Sequence, residues 1–168
     1  MENIGGIKAI SQALIDDCSL AKAVKFQQKN KKKGGIWLGL TKTTISIRAY
    51  DELKTIWDTI SRTAFTQLNY SYLLLFVTVA GMIVVYVIPL ISLINGVIIS
   101  DWLVASLGFI TWTIMTIAYL PTIKLYKLSS IWAIFLPAIA LLYTLMTINS
   151  AVKYWQGKGG NWKGRTYN

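Results

Sequence analysis

Between Arg62 and Lys153 the chain carries only three charged side chains, Asp101, Lys124 and Lys127. Three uncharged stretches follow one another: Ser71–Ser100, Trp102–Ile123 and Leu128–Val152. Each exceeds the run of about 20 apolar residues that crosses a hydrocarbon core of about 30 Å. A soluble fold has no means of burying three such stretches in succession. The pattern therefore predicts a soluble or interfacial N-terminal segment, residues 1–70, followed by three transmembrane helices at about 71–95, 102–123 and 130–152.

Composition narrows the function classes. Over 168 residues, 54% are hydrophobic and 14% charged, and mean hydropathy is +0.50, values that suit a small integral membrane protein better than a globular enzyme. Net charge is +10. Basic residues border the apolar stretches and no nucleic-acid recognition motif is visible, so the charge reads as membrane flanks facing anionic headgroups, with no nucleic acid as partner. Histidine is absent and Cys18 is the single cysteine. That excludes His general bases, Ser-His-Asp triads, His metal ligands, cysteine clusters and an intrachain disulfide. Met1–Leu20 lacks an apolar core long enough for a secretory signal.

Along the chain, Ile7–Phe26 has helical spacing of Ile10, Ala13, Leu14, Leu20, Ala21 and Val24, with Asp16 and Asp17 midway. Gln27–Gly35 is a basic loop ending in Gly34-Gly35. Ile36–Tyr50 is dense in β-branched residues and predicts a β-hairpin turning near Thr41–Thr43. An isolated hairpin is marginal in water, so it calls for a sheet to join. Asp51–Tyr70 predicts an amphipathic interface helix. Asp51 and Glu52 stand in its first turn, and Leu53, Ile56, Trp57, Ile60, Ala64 and Leu68 line one stripe. Lys54, Asp58, Ser61 and Arg62 lie away from the centre of that stripe. The tail, 153–168, is basic, glycine-rich and suited to headgroups rather than to a core.

Orientation follows the positive-inside rule only in part. Eleven Lys/Arg precede the first stretch and place the N-terminal segment in the cytosol, with which Lys124, Lys127 and Asp101 agree. Three crossings then put the basic tail outside, against the rule. Either the tail is an exception or one apolar stretch is re-entrant.

Few residues can carry chemistry. Without histidine, a carboxylate is the available general base, and Asp16-Asp17 is the candidate pair. Adjacent residues on a helix diverge by about 100°, so the two form no ligand cluster by themselves. A solvated acidic pair is the competing reading. Arg62 offers a planar fork suited to phosphate; the alternative is a side chain that snorkels to headgroups.

Taken in order, these segments resemble a known family. Gly5-Gly6-Ile7-Lys8-Ala9-Ile10, then Ala13-Leu14-Ile15-Asp16-Asp17-Cys18-Ser19-Leu20-Ala21, resembles the distal catalytic domain of membrane-bound family 2 glycosyltransferases, where a glycine pair precedes a helix near an acidic "(E/D)D" motif. Trp37-Leu38-Gly39-Leu40, the segment Tyr50–Leu68 and the tail Trp155–Tyr167 are similar to the hopanoid-biosynthesis-associated subgroup, relatives of ceramide glucosyltransferase. The likeness covers nearly the whole chain.

The resemblance implies a mainly α membrane protein. Residues 1–50 correspond to the C-terminal remnant of a GT-A (α/β) catalytic domain, 51–70 to an interface helix, 71–152 to transmembrane helices and 153–168 to a basic tail. It implies inverting transfer of a sugar from a nucleotide-sugar donor to a lipid acceptor, possible hopanoid chemistry, and a bacterial cytoplasmic membrane location. Asp17 matches the general base and Asp16 its neighbouring acid. Gly5 and Gly6 match substrate-binding positions, and Arg62 matches the Arg of a "(Q/R)xxRW" motif in which Thr59 and Thr63 replace the flanking residues. The family's Mg²⁺ or Mn²⁺ is held by an Asp-x-Asp motif that this sequence lacks. The expectation is therefore the C-terminal half of such an enzyme, completed by a donor-binding GT-A half or separate subunit. The alternative is a small non-catalytic membrane anchor or regulatory subunit.

Overall fold

The computed structural model describes residues 15–28, 39–44, 50–159, 161–162 and 165–166. Helices dominate them. Helix α1 spans Asp16–Gln28. Ile15 is a bend whose carbonyl accepts the Ser19 N–H at 3.1 Å, which makes it the helix cap. The acids Asp16 and Asp17 thus open the helix rather than sit midway along a helix over Ile7–Phe26; positions 7–14 lie outside the described residues. Asp favours this place because its carboxylate complements the unpaired N–H groups and the positive end of the helix dipole, and Lys25 in the last turn complements the other end.

At the expected hairpin turn, Thr43 N–H donates to Thr41 Oγ1 at 3.1 Å and the two hydroxyls lie 2.9 Å apart. This is a hydroxyl-braced turn. The flanking strand positions, 36–38 and 45–49, lie outside the described residues, as does the loop 29–35.

Helix α2 spans Leu53–Gln67. Its cap is Glu52, in extended conformation, so Asp51 and Glu52 precede the first turn instead of occupying it. The buried residues are Ser61 and Phe65, each 1% exposed, whereas Leu53 is 57% exposed. The protein contact of the helix is made on the face of Ser61 and Phe65, while Leu53 at the start of the expected apolar stripe stays exposed. After Gln67 the chain turns through Asn69 and Tyr70, both with left-handed backbone (φ 50° and 55°).

Three helices are long and apolar enough to cross a membrane: α3, Tyr72–Ile98; α4, Trp102–Leu125; and α5, Leu136–Trp155. The chain divides into two compact units, one of Met1–Asn69 with Ser150–Asn168 and one of Tyr70–Asn149.

In the second unit, Ser71 caps α3 by accepting the Leu74 N–H at 3.3 Å. Residues Ile83–Val87 form a π-helical widening just before Pro89. Proline has no N–H to return to the preceding turn and its ring crowds that turn's carbonyl; the widened turn absorbs both defects without breaking the helix. A three-residue connection reverses the chain into α4, with Ser100 left-handed at φ 59°. Asp101 caps α4, its Oδ1 accepting the N–H groups of Leu103 (3.1 Å) and Val104 (3.2 Å). Helices α3 and α4 then run antiparallel in close contact. A Cβ on Gly96 would come within 2.8 Å of Ala105 Cα, and one on Gly108 within 2.6 Å of both Leu93 N and Pro89 O. Small residues permit this backbone approach, as is usual between apolar helices.

Helix α4 continues through Pro121 and ends in a Schellman motif. Lys127 is left-handed (φ 56°), Leu128 N–H donates to Ile123 O at 3.1 Å and Lys127 N–H to Lys124 O at 3.1 Å. A short 3-10 turn, Ser130–Ala133, follows. Helix α5 starts at Leu136, not near 130, with Pro137 in its first turn, where the missing N–H forfeits no intrahelical bond.

In the first unit, α2 meets the end of α5. Phe65 N–H donates to Ser150 Oγ at 3.0 Å, the Phe65 and Tyr154 rings are tilted at 5.3 Å, and Lys153 Nζ reaches Asp58 Oδ1 at 3.4 Å. Ser150 and Ala151 are buried. Gly157, at φ 68°, closes α5 with a second Schellman motif: Lys158 N–H donates to Lys153 O at 2.9 Å. In the tail, Asn161–Trp162 and Arg165–Thr166 pair as short antiparallel strands.

The outward side chains of α3 and α4 are large and apolar: Leu73, Phe76, Trp102 and Leu103 are each about 70% exposed. Water does not tolerate such a continuous surface on a monomer, whereas lipid covers it.

Candidate functional site

The acidic pair is placed by the start of α1. Asp17 is exposed, and its Oδ1 accepts the Cys18 backbone N–H at 2.7 Å. The carboxylate therefore has a backbone N–H donor in the first turn of the helix. Such a group is chemically fit to bind a cation or to take a proton from a hydroxyl. Cys18 beside it is also exposed, and slight burial, reinforced by the charge and hydrogen bonding of Asp17, pushes its thiol above the ordinary range. A helix start by itself lowers a thiol pKa; desolvation and the neighbouring Asp17 carboxylate act in the opposite direction.

Gln67 Nε2 donates to Cys18 Sγ at 3.4 Å, within sulfur hydrogen-bond range. This bond joins the first turn of α1 to the last turn of α2. The acidic pair is therefore tied to the helix that leads into α3. Sequence reasoning missed this link, because neither a lone cysteine nor a glutamine signals a partner forty-nine positions away.

Arg62 is half-buried on α2, next to buried Ser61. The hydroxyls of Thr59 and Thr63, which stand where the motif has Gln or Arg and Trp, donate back to the carbonyls of Thr55 (2.8 Å) and Thr59 (3.0 Å). Both are engaged within the helix. Gly5 and Gly6 lie outside the described residues. Among the described residues, no three His, Cys, Asp or Glu side chains come together as a metal-binding group. The divalent cation expected from the resemblance finds no ligand set in them.

Comparison with known proteins finds no matching family model, curated protein or solved structure.

Proposed function

We propose that this chain supplies the acceptor-side base and the membrane platform of a glycosyltransferase that moves a sugar from a nucleotide-sugar to a membrane lipid. The observation that carries the reading is the exposed Asp17 carboxylate, held at a helix start and tied through Cys18 and Gln67 to the helix leading into the apolar segment. The order of sequence motifs supports it, as do three helices apolar enough to meet a lipid acceptor.

In this reading, Asp17 takes the proton of the acceptor hydroxyl as its oxygen attacks the anomeric carbon. The bond from that carbon to the diphosphate oxygen breaks, the nucleoside diphosphate leaves with its electron pair, and the anomeric configuration inverts. Asp16 neighbours the base and Arg62 contributes positive charge toward diphosphate or headgroup phosphate. A nucleotide-binding GT-A module, fused or separate, supplies the donor site and its metal. Residues 1–50 belong to that module's distal edge, on the cytosolic side of a bacterial inner membrane. A hopanoid or other polyisoprenoid lipid is the acceptor class.

The test is transfer itself. Membranes from cells producing the whole gene product are incubated with radiolabelled nucleotide-sugars, then extracted with organic solvent. Label entering the lipid fraction, absent from membranes lacking the gene, is the expected result. No lipid labelling with any common donor, from membranes in which the intact product is present, overturns the reading.

A further inference from the structure

We infer that residues 128–155 form a re-entrant hairpin: the chain dips to the middle of the membrane and returns to the face it left, so that only α3 and α4 cross. This leaves every Lys and Arg of the chain on one side of the membrane. The inference rests on the apolar helices and not on the transfer chemistry.

The first observation is the α3–α4 hairpin. Its antiparallel register, Gly96 against Ala105 and Gly108 against Leu93 and Pro89, puts the end of α4 on the face where α3 begins. At 1.5 Å per residue the two helices are about 40 and 36 Å long, enough to cross a core of about 30 Å. The second is the bond from Trp112 Nε1 to Ile134 O at 3.2 Å. Trp112 lies about 20 Å of helix back from Leu125, near the middle of α4. Residues 128–134 therefore run back alongside α4 and bring the start of α5 to mid-depth. Irregular backbone is tolerated there only when protein satisfies it. The indole N–H does so for Ile134, and Ala133 and Pro137 at this turn are buried.

The third observation fixes the exit. From mid-depth, about 15 Å separates α5 from either face, and its 20 residues, about 30 Å, reach either one. Its end, however, is bonded to α2: Ser150 to Phe65, Tyr154 to Phe65, Lys153 to Asp58. Helix α2 ends at Gln67, four residues before the Ser71 cap of α3. The end of α5 consequently shares the face on which α3 starts. Three full crossings put it on the other face and break all three contacts. Helix α5 is also the least apolar of the three, with 33% of its most apolar window buried against 6% and 11%. That suits a helix held by protein on several sides.

Charge agrees independently. With this topology all 17 Lys and Arg fall on one side, and the opposite loop carries only Asp101. The tail stops being an exception to the positive-inside rule. That side of the membrane is the one that meets the anionic cytoplasmic leaflet.

The test places single cysteines, Ser100→Cys or Gln156→Cys, in a Cys18→Ser background of the whole gene product. Cells are labelled with a membrane-impermeant maleimide before and after permeabilisation. Ser100 and Gln156 are expected to label from opposite sides, Ser100 in intact cells and Gln156 only once the membrane is opened. Labelling of both from the same side, which three crossings require, overturns the inference. A reporter after Asn168 on the otherwise unaltered chain guards against a variant that fails to insert. A fused fluorescent protein should glow and a fused alkaline phosphatase stay inactive; the reverse pair overturns the inference as well.

Discussion

Gly108→Ala is a small change with a large expected effect. The new methyl carbon would lie 2.6 Å from Leu93 N and from Pro89 O, both backbone atoms of the facing helix. Neither can rotate away. Ordinary contact begins at 3.4 Å, so the helices must part by about 0.8 Å (3.4 − 2.6) at this point. A gap of 0.5–1 Å forfeits roughly a quarter to a half of the dispersion attraction along the seam, and overpacking of this kind typically costs about 1–3 kcal/mol. Alanine also favours a helix over glycine by about 1 kcal/mol, which opposes the loss. Gly81→Ala separates the two terms, since nothing lies within 4 Å of a Cβ there. Thermal unfolding in mild detergent, followed by size-exclusion fluorescence, should show Gly81→Ala at or slightly above wild type. Gly108→Ala should fall below it by several degrees, at about 2–4 °C per kcal/mol for a chain of this size. Equal melting of the two variants would refute the close α3–α4 seam.

Other perturbations bear on separate parts of the molecule. Phe65→Ala removes a fully buried ring and its contact with Tyr154, so it should cost about 3–5 kcal/mol and speed proteolysis after Lys153 in limited trypsin digests. Asp101→Ala deletes a cap that accepts two N–H groups, and a loss of about 0.5–2 kcal/mol is expected in the same melting assay. Cys18 has a raised thiol pKa, so its alkylation by iodoacetamide should rise at higher pH than that of a free thiol. Asp17→Asn removes the neighbouring charge and should move the profile to lower pH, increasing the rate at a fixed mildly alkaline pH.

The apolar helices were legible because lipid demands long uncharged runs, and their number and the start of the second came directly from those runs. The start of the third was not, because Ile131–Phe135 is as apolar as a helix while Pro137 resets the first turn. The protein-facing contact of α2 was not legible either. Periodicity marks where apolar side chains gather, whereas the contact with α5 is made by Phe65, whose N–H meets Ser150 and whose ring meets Tyr154, with Ser61 buried beside it. Between apolar helices, small and polar side chains make the close contacts. For the candidate site, the lack of histidine left carboxylates as the available bases, and the family resemblance, not composition, singled out Asp17 among them. Its place in the first turn of α1, and the Cys18–Gln67 bond that ties it to α2, depend on tertiary contact that no local pattern encodes.

The proposed role of Asp17, base of a lipid glycosylation reaction, is open to direct test. The direct measurement is transfer of radiolabelled sugar into extracted lipid by membranes carrying the whole gene product as wild type, Asp17→Asn, Asp16→Asn or Arg62→Ala at equal protein abundance. The account predicts that Asp17→Asn abolishes turnover while photo-crosslinking to the nucleotide-sugar persists, and that Arg62→Ala lowers transfer more modestly. Wild-type turnover by Asp17→Asn would contradict it.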